Sequence, residues 1–217
     1  MARSIWGVDS AAAVTPALYD CVIENFGKPE YWGRYLTTIP NVNDGLTSEE
    51  INRLRGNGVR VMPIYNNFDE AVGYRAGEIS AANAIFQARR LGFPTGVRVY
   101  ANIENFFDVD EAWLRGWVDA FYPSGYKPGF YNDPVEGPFS EAYCAAIANN
   151  EQVQIQAVLW SAEPERGVTS KKNRPQRFNP SKPPCDANVW AWQYGRDAEA
   201  CPIDTNLVDR RLYDDMW

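Results

Sequence analysis

Short apolar stretches that alternate with period two are followed, again and again, by amphipathic stretches with period 3.6. This alternation constrains the fold more than any other feature of the chain. "SIWGVDS" (4–10) reads as a strand and "TPALYDCVIENF" (15–26) as a helix, with Thr15 as its cap and Pro16 at the first helical position. "EYWGRYL" (30–36) is a second strand, and "TSEEINRLRGNG" (47–58) a helix opened by a Thr47–Glu50 capping box and closed by glycines. "VRVMPIYN" (59–66) and "GVRVYANIE" (96–104) are strands on either side of a long helix over 76–91. "DEAWLRGWVDAFYPSG" (110–125), "PGFYND" (128–133), "PFSEAYCAAIANN" (138–150) and "VQIQAVLWSAE" (153–163) continue as helix, strand, helix and strand. With "NVWAWQYG" (188–195) and "PIDTNLV" (202–208) the pattern reaches about eight strands.

Over 217 residues this predicts a single α/β domain, residues 1–217, folded as a (β/α)8 TIM-like barrel. Because about 250 residues is usual for that fold, one or two helices are expected to be missing near the C-terminus. A doubly wound open sheet is the alternative architecture. Neither GxGxxG nor GxxxxGK[ST] occurs, which disfavours nucleotide-binding α/β folds. The segment 164–187 is too long and too rich in Pro, Lys and Arg for a tight connection, so it is expected to be an exposed lid or rim loop.

The chain contains no histidine, which removes Ser–His–Asp and Cys–His triads and the usual zinc sites. Acid–base chemistry falls to Asp, Glu, Tyr or Lys, and neither a metal nor a cofactor is expected. A net charge of −7 argues against a nucleic-acid partner, and the basic run "ERGVTSKKNRPQR" (165–177) reads as a solvated loop. No apolar run approaches the roughly 18 residues of a membrane span. The opening "MARSIWGVD" has no apolar signal core, which leaves three routes open: removal of a signal, export by another path, or retention inside the cell. The four cysteines form no CxxC. Cys185 and Cys201 flank a strand and could close a short loop in an oxidising compartment, while Cys21 and Cys144 lie on helices and read as buried thiols.

In a barrel of this kind the active site lies at the C-terminal ends of the strands. Those ends carry Asp9, Tyr35, Tyr65 with Asn66, Asn102 with Glu104, Tyr131 with Asp133, Trp160 with Glu163, Trp192 with Gln193, and Asp204 with Asn206. Carboxylates, amides and aromatics dominate and cations are scarce, a mixture that suits sugars better than phosphates. Asn102, Tyr35, Tyr65, Asn66, Tyr131, Trp160, Trp192 and Gln193 are therefore expected to contact a glycan. Crowding by Tyr100, Phe106 and Phe107 would hold Glu104 protonated, as a general acid requires. The plainer reading makes Glu104 an acid paired with a loop arginine, Asp9 a strand-end turn residue and Asp204 a helix cap.

The pieces "WGVDS", "VYANIEN", "WAWQYG" and "IDTNLV", in this order, resemble the glycoside-hydrolase-like barrels related to the family 25 lysozymes. "GVDSAAAVTP" with "YWGRYL" resembles the bacterial branch known as a domain of unknown function. The resemblance implies cleavage of the β-1,4 bond between N-acetylmuramic acid and N-acetylglucosamine in peptidoglycan. It also implies a polysaccharide partner, action outside the cell or in its wall, and a monomer. The family's strand-one Asp falls on Asp9, its D-x-E motif on Asn102-Ile103-Glu104 and its late Asp on Asp204. Glu104 would then be the general acid/base, with Asp9 and Asp204 shaping the field and binding the sugar. Asn102 departs from the motif, since an amide offers no negative charge. Stabilisation of a cationic centre would rest on Asp9, Asp204 or Asp133, or else the barrel binds glycan without cutting it.

Overall fold

A computed structural model describes residues 4–217, so the first three residues of the opening stretch lie outside the described residues. Eight strands, β1 (Ile5–Ser10), β2 (Tyr31–Tyr35), β3 (Arg60–Tyr65), β4 (Arg98–Asn102), β5 (Lys127–Asn132), β6 (Val158–Ser161), β7 (Val189–Gly195) and β8 (Asp204–Val208), close into a barrel in sequential order. Closure excludes the open doubly wound sheet. Helices α1 (Pro16–Phe26), α2 (Ser48–Gly56), α3 (Tyr74–Arg90), α4 (Glu111–Phe121) and α5 (Phe139–Asn149) follow the first five strands. No α-helix lies between β6 and β7 or between β7 and β8, the shortage the chain length predicts. Residues 196–203 are too few for a crossover, which needs about a dozen. Accordingly β8 runs antiparallel to both β7 and β1.

Period-two alternation sends one face of each strand inward and the other against the helices. Tyr31, Met62, Ile64, Tyr100, Tyr131 and Trp160 fill the interior, while Trp6, Val8, Trp32, Val61, Val99 and Phe130 meet the helix layer. Room for the inner tyrosines comes from glycine. A side chain at Gly7 would run into the ring of Tyr31, and one at Gly129 into the ring of Tyr100. The foot of the barrel is plugged by Leu212 of α7 (Arg210–Asp214) and by Met216, and is tied by Asp215 to Arg98 at 3.0 Å and Lys127 at 2.5 Å. The mouth, where β1 through β7 end, is the opposite rim.

Three expectations change. "VQIQ" is not strand but a short helix, α6 (Gln152–Gln156). Asn150 Oδ1 accepts the Gln152 N–H at 3.0 Å and starts the turn, and only Val153 of the segment is buried. The cysteines pair as Cys21–Cys201 and Cys144–Cys185, not Cys185 with Cys201. A seven-residue strand separates the latter two, and at about 3.3 Å per residue it holds them at opposite ends of the barrel. Finally, the 164–187 segment is not a free lid. Val168, Phe178, Cys185 and Ala187 pack on the core, so the segment stands on the outer wall where a helix is missing.

Candidate functional site

Asp9 and Asp204 are direct cross-strand partners on β1 and β8. Opposed residues in an antiparallel pair have Cβ atoms only about 5 Å apart, so two like charges face each other there. Amides hold them. Gln193 of β7 donates from Nε2 to Asp9 Oδ1 at 3.2 Å and to Asp204 Oδ2 at 3.1 Å. Asn206, two residues from Asp204 and on the same strand face, donates to Asp9 Oδ1 at 2.6 Å. Each amide is oriented from behind. The Tyr131 hydroxyl donates to Gln193 Oε1 at 2.8 Å, and the Trp160 indole N–H donates to Asn206 Oδ1 at 3.0 Å. The Asp197 N–H adds a bond to Asp204 Oδ1 at 2.7 Å.

Burial dominates the electrostatics. Asp9 is only 4% exposed. Desolvation pushes it up to about 6 against the pull of the Asn206 and Gln193 hydrogen bonds, and the charge of Glu104 raises it further. Asp204 is pushed up to about 8 by burial and then by the charge of Asp9. Burial and mutual repulsion therefore both push the pair toward its protonated form, Asp204 the more strongly. Tyr35 and Tyr131 are held in their neutral forms, first by burial and then by the surrounding carboxylates, Glu104 and Asp9 among them.

Glu104 follows β4 and shares a face with Asn102, whose Nδ2 donates to Glu104 Oε1 at 2.8 Å. The expected aromatic enclosure is absent. Phe106 is 77% exposed, Phe107 packs on Phe68 and Phe106, and Tyr100 lies in the interior against Trp160. The arginine of the plainer reading is absent too, since no described cation pairs with Glu104.

Asp9, Asp204, Gln193, Tyr131, Tyr35, Asn102 and Glu104 thus gather at one rim. Other expected glycan contacts do not join them. Tyr65 points to the helix layer against Trp117, and Trp192 packs outward on Tyr194 and Phe178 with its N–H on the Pro164 carbonyl at 3.0 Å. Trp160 is interior filling, 1% exposed. Asn66 donates to Asn43 Oδ1 at 2.7 Å and is buried there. Asp133 caps the turn that follows it, accepting from the Val135 and Glu136 N–H groups, and Glu163 pairs with Arg196 at 2.9 Å.

One functional neighbour escaped the sequence reading. Arg34, wholly buried behind β2, reaches Glu50 at 2.5 Å, the Ser10 carbonyl at 2.7 Å and the Asp44 carbonyl at 3.0 Å, and its charge draws Asp9 down. Glu50 therefore does not return to Thr47 as a capping box. Its Oε1 accepts from Arg34 and from the Val14 N–H at 3.0 Å. The available signal was a lone arginine within an apolar strand. Beside Asp204, between residues 38–44 and the β7–β8 turn, opens a cleft of about 470 Å³. Among the described residues no three Asp, Glu or Cys side chains gather as metal ligands.

The family model of the Rv2525c-like, glycoside hydrolase-like domain matches residues 28–182. A 1.07 Å crystal structure of an uncharacterized B. stearothermophilus protein is 57% identical, with a TM-score of 0.96, covering 98% of this chain and 100% of the other. The catalytic domain of endolysin ply40, from bacteriophage P40 of Listeria monocytogenes, is 16% identical with a TM-score of 0.62, covering 97% and 96%. A muramidase from Acremonium alcalophilum is 14% identical with a TM-score of 0.59, covering 97% and 98%. At such identities the last two likenesses establish the shared fold. No curated protein matches the sequence.

Proposed function

The chain belongs to the family of Rv2525c-like, glycoside hydrolase-like domains, and from that premise we propose that it hydrolyses β-1,4 bonds of bacterial cell-wall glycan. The reading rests above all on one observation: a half-buried glutamate and two aspartates bridged by Gln193 meet at the mouth of a lysozyme-like barrel. Glycoside hydrolysis needs an acid at the leaving oxygen and a negative charge near the oxocarbenium-like carbon. Glu104 takes the first role, and Asn102 fixes the direction of its carboxylate. The second role falls to the Asp9–Asp204 pair, because Asn102 brings no charge and Asp133 is engaged in its own turn. Tyr35 and Tyr131 supply neutral walls for a sugar ring. The two disulfides fit an oxidising compartment, which supports action outside the cytosol.

Incubation with purified peptidoglycan, read as new reducing ends, tests this. Glu104→Gln is expected to lower the rate by about 10²–10⁴-fold, the range of general acid catalysis, without loss of folding. Equal rates in the variant and the wild type would refute the assignment. The amide at Asn102 favours a second reading, a glycan-binding barrel without hydrolysis. That reading predicts retention of the wild type on peptidoglycan with no products at all.

A further inference from the structure

Consecutive residues of β7 point to opposite faces. Gln193 turns inward to the carboxylates, whereas Trp192 turns outward and, with Phe178, floors a second cleft of about 1460 Å³ under the 164–187 segment. Three guanidinium groups line this cleft: Arg166, Arg174 and Arg177. None of them has a carboxylate within ion-pair distance among the described residues, nor has Lys172 or Lys182 on the same segment. Glu163 is engaged with Arg196 and Glu30 with Lys171 at 2.5 Å, so the free acids on the segment are Glu165 and Asp186, fewer than its unpaired cations. In a chain of net charge −7, such a concentration of uncompensated cations runs against the whole-molecule field.

The backbone that carries the cations is held in place, while the Arg166 and Arg177 side chains are exposed. The Arg166 N–H donates to the Tyr194 carbonyl at 2.6 Å, the Ser181 N–H to the Glu163 carbonyl at 2.7 Å, and the Cys144–Cys185 bond anchors the end of the segment. Arg174 spends one nitrogen on the Lys171 carbonyl at 2.6 Å and keeps the rest of its fork free. An anchored backbone that gathers arginines on one wall removes part of the ordering cost of binding an anion, the remainder falling on the side chains. Asn173 and Gln176 beside them offer amide groups to hydroxyls. The buried floor presents no row of exposed rings on which nucleobases could stack.

We propose that this cleft binds a linear anionic polymer of polyol or sugar units, gripping its repeated phosphate or carboxylate groups. It lies on the outer wall of the barrel, with β7 between it and the carboxylates of the mouth. The site would hold the protein on an anionic surface polymer while the mouth engages glycan. It does not depend on the mouth being catalytic, and its test involves no cleavage.

The probes are fluorescently labelled poly(glycerol phosphate) and, as the carboxylate arm, polygalacturonate, each titrated with the full chain at rising salt. Saturable binding of one or both is expected, with log K falling linearly against log salt. In the Arg166→Gln/Arg177→Gln double variant the slope should shrink by roughly 0.7 for each arginine removed, with an unchanged melting temperature. Arg89→Gln/Arg90→Gln on α3 should bind as wild type. The proposal is overturned if neither polymer binds at low salt, or if the α3 variant loses as much affinity as the cleft variant. Equal affinity for a single-stranded oligonucleotide or for anionic lipid vesicles would overturn it as well.

Discussion

Two aspartates that face each other across β1 and β8 make folding stability depend on pH in a defined sense. Both carry native-state values above those of free carboxylates, about 6 for Asp9 and about 8 for Asp204. The native state therefore binds more protons than the unfolded chain between about pH 4 and pH 8, so stability falls as pH rises through that window. Above the Asp204 value the loss is complete. Asp204→Asn removes one of the two charges and relieves the other, and its stability profile is expected to be flatter than the wild type's, most of all between pH 6 and 8. Urea midpoints measured across that range decide the matter, and parallel profiles for the two proteins would contradict it. At this scale the sequence was informative about identity and silent about partners. Asp9 and Gln193 could be picked out as polar residues toward the C-terminal ends of their strands, whereas Asp204 opens β8 and reaches the mouth only because that strand runs antiparallel. That Gln193 bridges the two acids depends on barrel closure between β7, β8 and β1, which no local pattern encodes. Tyr65 and Trp192 were misassigned for a related reason: a strand end offers two faces, and a frame shift of one residue separates the mouth from the helix layer.

At the scale of elements, the strands and five main helices were legible from periodicity, which caps reinforced at α1 and α2, while the cap of α4 is visible only in the structure. Thr15 accepts from the Leu18 N–H, and Asp110 caps α4 by accepting from the Trp113 N–H at 2.7 Å. Strand direction was not legible, since alternation reads the same in either sense. The short β7–β8 connection was the only clue to the antiparallel turn. Nor does sequence reveal how closely two helices approach. In α3 and α4, a side chain at Gly77 would meet the Trp113 carbonyl, and one at Gly116 the Tyr74 carbonyl. The two helices cross backbone to backbone at these glycines. Alanine is better than glycine in a helix interior by about 1 kcal/mol, but here the helices must separate to admit it, and overpacking costs about 1–3 kcal/mol. Gly116→Ala is therefore expected to destabilise the protein in urea unfolding. Gly56→Ala, at the end of α2 with nothing within 4 Å, is expected to leave stability unchanged or raise it. The same sign for both substitutions would disprove the close-crossing explanation.

The whole molecule is closed twice, once by hydrogen bonds between β8 and β1 and once by covalent bonds. Cys21–Cys201 joins α1 to the β7–β8 turn, with a sequence separation of 180, and so staples the seam where the last strand meets the first. Cys144–Cys185 spans 41 residues and fastens the segment that stands in for a missing helix. The sequence placed the four cysteines but not their pairing, because pairing follows from which ends of the barrel they occupy. If the bonds act by restricting the unfolded chain, the longer loop contributes more. The chain-entropy relation gives about 5 kcal/mol for the longer loop and about 4 kcal/mol for the shorter, each an upper figure. Cys21→Ala/Cys201→Ala is thus expected to lower unfolding stability by about 1 kcal/mol more than Cys144→Ala/Cys185→Ala. Global unfolding followed by circular dichroism in non-reducing urea measures both. The shorter loop has a local role as well, since its loss frees one anchor of the arginine cleft without touching the mouth. Its removal should weaken polymer binding while leaving any glycan cleavage intact. If the 41-residue bond proves the costlier to remove, native-state packing of the 164–187 segment, rather than restriction of the unfolded chain, is what these bonds supply.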